Sequence, residues 1–168
     1  GVRLVGSEMC IRDRKNILKI FTNETIIQLE PDDARLAIAA LMIRVARSDD
    51  DFSDEEFINI ISLVTKRFDL NHDKANELIK EAKVLEEQAP DTVRFTKSIK
   101  TAIAFEERSA LVEDLWTIVL TDDYRDANED ALIRTVVGLL GVSDKDSALA
   151  RQRAVSYTHL RAHETDSY

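Results

Sequence analysis

The side chains best placed to do chemistry lie in two short acidic stretches. The first runs Asp49, Asp50, Asp51, Phe52, Ser53, Asp54, Glu55, Glu56, and the second Asp122, Asp123, Tyr124, Arg125, Asp126, Ala127, Asn128, Glu129. In each, a second Asp follows the first, and a Glu stands seven residues beyond it. The offset from Asp49 to Asp122 and from Glu56 to Glu129 is the same 73 residues. Carboxylates converging from two such loops would repel one another unless a cation or protons neutralised them. Oxygen-only donors match hard cations such as Ca²⁺, Mg²⁺ or Mn²⁺, and Asp51 and Asp126 could add further oxygens. Neither stretch is an EF-hand: the twelfth position counted from Asp49 is Ile60, and the fixed Gly is missing.

The same residues have a second reading. Ser53 and Glu56 form an S-x-x-E capping box, and Glu129 is the third residue after Asp126, so both Glu residues occupy positions where helix starts favour acids. Capping and cation binding are compatible if different oxygens of one Glu serve each. The remaining candidates carry less. His72, between Asn71 and Asp73, reads as an exposed first-turn residue, Trp116 as a core or groove-lining aromatic, and Tyr124 as an exposed loop residue. No Ser/His/Asp constellation and no Gly-rich phosphate loop is present. Paired carboxylates can hydrolyse glycosides, but nothing in the sequence supplies a substrate cleft, and the expectation is a protein that is not an enzyme.

Helices must position these stretches. Gly 4 and Pro 2 in 168 residues favour long helices over a turn-rich β fold. Pro31, Asp32 and Asp33 open a helix running to about Arg47, whose apolar content predicts a central, largely buried element. After the first acidic stretch, Ser53 starts a helix that ends around Arg67–Leu70, and Asn71 caps the next, about His72 to Glu87. A further helix is expected from Asp91 to about Ile103, using Val93, Phe95, Ile99 and Ile103. Glu106 to Thr121 is the second long apolar helix. The second acidic stretch follows, then a helix from about Asp126 to Leu140 that Gly141 is placed to end in a left-handed cap. Ser143 starts a last helix from Asp144 to about Ala154. The expectation is an all-α single-domain bundle of about seven to eight helices, with a duplicated helix–acidic loop–helix unit.

A hydrophobic content of 44% supports one sizeable core. The net charge of −9 argues against nucleic acid and suits cations or basic partners. No secretory signal and no membrane-spanning apolar run is visible. Residues 1–14 and 155–168 resemble peptides produced when sequencing-adapter DNA is translated, through Ser7–Arg14 and Val155–Thr165, so the native domain is expected within Lys15 to Ala154. Cys10 then falls outside that domain, which leaves no thiolate metal site and fits a reducing, cytoplasmic compartment.

Three stretches resemble the TerB-like family, related to tellurite-resistance TerB proteins. They are Val45–Glu56 with Arg67–Leu70; Glu107–Trp116; and Asp122–Glu129 with Leu132–Arg134, Leu139–Ser143 and Ala150–Ala154. The resemblance implies an all-helical fold with an internal duplication, in a bacterial protein of a stress or metal-resistance assembly. It also implies a divalent-cation site built from Asp49, Glu56, Asp122 and Glu129. The sequence departs from the family pattern at Asp50 and Asp123, where Gly is usual, and at Arg125, where an apolar residue is preferred. No residue indicates tellurium chemistry, and the lack of an inner cysteine argues against thiol-based reduction. The alternative is a metal-free acidic module that recruits a basic or amphipathic protein partner.

Overall fold

The computed structural model describes residues 31–47, 53–88, 92–121 and 127–166. Among the described residues there are seven helices and no strand. They are α1 (Pro31–Ala46), α2 (Asp54–Phe68), α3 (His72–Gln88), α4 (Thr92–Ala102), α5 (Phe105–Thr121), α6 (Ala127–Leu140) and α7 (Asp144–Asp166). The expected all-α architecture is what forms, in a single helical domain.

α1 is the hub. From Leu36 to Ile43 no residue is more than 5% exposed. A helix that is apolar all round needs neighbours on every side, and α1 packs against α2, α3, α4, α5 and α6. Arg44, partly buried near its end, is used as a tie. Nη2 donates to the Glu86 carbonyl (3.2 Å), Nε to Glu86 Oε1 (3.3 Å) and Nη1 to Thr92 Oγ1 (3.1 Å). These bonds fix the end of α3 and the start of α4 against the hub.

α5 is the second core helix. Leu111, Val112, Leu115, Ile118 and Val119 are buried, shared among α1, α2, α6 and α7, and α7 runs along it. α2 is joined to α5 by the ion pair Arg67–Asp114, whose Nε–Oδ2 distance is 2.6 Å. These long-range ties convert local helix formation into one core.

The helix ends follow local chemistry. Ser53 is extended (φ −75°, ψ 156°) and caps α2. Asn71 Oδ1 accepts from the Lys74 amide at 2.8 Å, as the sequence predicts for α3. At the end of α6, Gly141 takes φ +73°. Its amide donates to the Gly138 carbonyl and the Val142 amide to the Val137 carbonyl, both at 3.1 Å, which completes a Schellman motif. α2 ends in the same left-handed way but on Asp69 (φ 51°), with the Leu70 amide donating to the Thr65 carbonyl at 3.1 Å.

One expected boundary differs. α7 continues from the predicted end at Ala154 to Asp166. The stretch beyond Ala154 contains neither Gly nor Pro, so nothing local stops the helix. The boundary drawn at Ala154 rested on a resemblance, not on a stop signal.

Candidate functional site

The four residues of the expected cation site have unequal standing. Asp49 and Asp122 lie outside the described residues, as do Asp51, Asp126 and Tyr124. Glu129 falls in the first turn of α6, and its side chain is outside what is described. Whether the two acidic stretches approach each other is therefore not a property of the described residues. Their anchoring helices, α1 and α5, do pack against one another.

Glu56 is described in full. Its side chain is buried, with 2% of the residue exposed. The Ser53 amide donates to Glu56 Oε2 at 2.9 Å, and the Ser53 hydroxyl lies 3.2 Å from the same oxygen. The Glu56 amide in turn donates to Ser53 Oγ at 3.2 Å. This is the reciprocal capping box, complete in both directions. The capping reading of Glu56 is thus realised in the fold. Among the described residues, no group of three or more His, Cys, Asp or Glu side chains is arranged to hold a metal ion. His72 is exposed in the first turn of α3, as the sequence predicts.

Two polar features were not visible in the sequence. The first is Asp114. Burial pushes its carboxyl above the ordinary 3.8, against the opposing attraction of the Arg67 guanidinium. Arg67 and Asp114 are distant in sequence, so no local spacing rule pairs them.

The second is a cleft beside Trp116. Trp116 lines a groove, as expected of it, and is 6% exposed. Its indole Nε1 donates to Ser147 Oγ on α7 at 3.1 Å. The Arg151 guanidinium lies over the ring, 5.4 Å from its centroid. Asp130 on α6 lines the same cleft, and its Oδ1 is buried without a hydrogen-bond partner among the described residues. An orphaned buried carboxylate oxygen is uncommon. Only the indole offered a sequence signal for this cleft, because Asp130 and Arg151 look like ordinary surface charges along their helices.

No helix among the described residues is long and apolar enough to cross a membrane. No curated protein and no solved structure matches the chain. The family model described as Tellurite resistance protein TerB matches residues 35–152, from within α1 to within α7. That span is more than half of the sequence, and the chain belongs to the TerB family.

Proposed function

We propose that this TerB-family chain is a non-enzymatic, cation-dependent protein of a stress or metal-resistance assembly. Asp49, Glu56, Asp122 and Glu129 are the residues assigned to hold the ion. The donor set is carboxylate oxygen alone, which fits Ca²⁺, Mg²⁺ or Mn²⁺ and not a thiophilic metal. The observation that carries the reading is the burial of Glu56, 2% exposed, at the end of the acidic stretch that begins with Asp49. Burying a carboxylate is costly unless hydrogen bonds or an opposite charge compensate it. A cation supplies that compensation when bound. The chain's own contribution is to hold Glu56 by the Ser53 amide so that its carboxylate is fixed before an ion arrives.

A second reading has its own support. The capping box at Glu56 is complete, so the carboxylate is explained by helix initiation alone. Under that reading the acidic surface of a chain with net charge −9 recruits a basic or amphipathic protein segment without any metal.

Calorimetric titration with Ca²⁺, Mg²⁺ and Mn²⁺ separates the two. Under the cation reading the unsubstituted chain gives saturable heat with at least one ion, and an Asp49→Asn/Asp122→Asn variant loses it. Indistinguishable heats from the two proteins would leave the acidic interaction module as the function.

A further inference from the structure

We infer that the groove between the starts of α1 and α5 and the ends of α2 and α4 is the docking site of the chain's own segment Lys15–Phe21. That segment precedes the described helices. The groove is lined by Arg35 of α1, Phe68 and Asp69 at the end of α2, Ala102 and Ile103 at the end of α4, and Glu107 of α5. Its volume is about 510 Å³. The acidic stretches follow the other ends of α1 and α5, so the inference does not rest on the cation reading.

The floor of the groove is apolar and open. Phe68, Ala102 and Ile103 line it while only half-buried, although each packs on the core. Arg35 closes one side, its guanidinium 5.6 Å from the Phe68 ring centroid. Arg67 closes another and is held by Asp114. Both guanidiniums are thus engaged within the fold. The exposed charges of the lining are the carboxylates of Asp69 and Glu107. An apolar floor with an acidic rim takes an apolar segment that carries cations.

Lys15–Phe21 is such a segment. Ile17, Leu18 and Phe21 fall on one face at helical spacing, and the segment holds two lysines, Lys15 and Lys19, with no acid. Lysine stems reach from an apolar face to a charged rim. The chain also delivers the segment to the groove. α1 begins at Pro31, and Ala34, within its first turn, already borders the groove. The connection, residues 22–30, spans about 30 Å at full extension, enough to double back over α1. A tether of this length gives the segment an effective concentration on the order of millimolar, which favours it over a second copy or a separate partner. The family match begins at residue 35, so Lys15–Phe21 lies outside the matched span.

Paramagnetic broadening in the full chain tests the assignment. Cys10 is the only cysteine, so Asn16→Cys in a Cys10→Ser background takes a nitroxide at one position. The amide signals of Phe68, Ala102 and Ile103 are expected to broaden, and to recover when ascorbate reduces the label. Leu85, beside the Arg44–Glu86 contact, and Leu120, in the last turn of α5, lie at the opposite end and should stay sharp. Ile17→Asp/Phe21→Asp should abolish the broadening. Lys15→Glu/Lys19→Glu should weaken it, and keeps the test open if the first variant does not fold. A groove that stays sharp overturns the inference, as does broadening unchanged in the charge-reversed variant. Mixing nitroxide-labelled chain with ¹⁵N chain that carries no nitroxide separates the copies. Broadening at the groove in that mixture assigns it to a second copy and overturns docking within one chain.

Discussion

At the scale of single residues, Glu56 is where two roles can be taken apart. Its carboxylate completes a capping box with Ser53, and Gln serves that box nearly as well as Glu. Glu56→Gln is therefore expected to leave thermal stability close to that of the parent. Glu56→Ala should cost about 1 kcal/mol or more from the lost cap. If the cation reading holds, both variants lose metal affinity. Chemical denaturation of the pair, beside the calorimetry, checks this: a Gln variant as unstable as the Ala variant would show that charge, not the cap, is what position 56 supplies. The residue scale is also where the sequence was least informative. Ser53 and Glu56 announce themselves because a capping box is written within four consecutive residues. The partnership of Arg67 with Asp114, and the convergence of Asp130 with Arg151, depend on helix packing that no short spacing encodes. Asp49 and Asp122, with the Glu129 side chain, fall outside the described residues.

At the scale of elements, most helix starts and stops were legible because capping is local chemistry. Asn71 and Gly141 act where the sequence places them. Asp69 is the informative exception to the usual helix end. It adopts φ 51°, a conformation that Gly enters without strain and that Asp tolerates less well. Asp69→Gly is expected to stabilise the protein by up to ~1 kcal/mol. The urea midpoint reads the change, and a midpoint that falls would mean the Asp69 carboxylate contributes more than the backbone strain removes. The long α7 marks the other limit of sequence reading. Its extent depended on the absence of a breaker, and an absence is weaker evidence than a cap.

For the whole molecule, the Arg67–Asp114 bridge links fold stability to pH. The Asp114 carboxyl titrates above its ordinary 3.8 in the folded chain, chiefly because it is buried. The folded state then holds this proton more tightly than the unfolded one. Its contribution to stability is greatest below 3.8 and is lost as pH rises through the raised folded value. Most carboxylates in salt bridges behave the opposite way. Asp114→Asn removes the titration, so the stability of the parent relative to this variant should decline across that window as pH rises. Denaturant midpoints taken through the acid range test this, and parallel curves for the two proteins would show that Arg67 cancels the effect of burial.

The enclosure of α1 also governs how the chain can be made. It is the first described helix, yet its cover comes from every element up to α6, residues 127–140. During synthesis its apolar surface, Leu36 through Ile43, emerges long before its last partner exists. A nascent chain that stops short of α6 therefore presents sticky surface with nothing of its own to close over it. Fragments ending within α4 or α5 should depend on chaperones or precipitate, and the ribosome must release nearly the entire domain before the hub can settle.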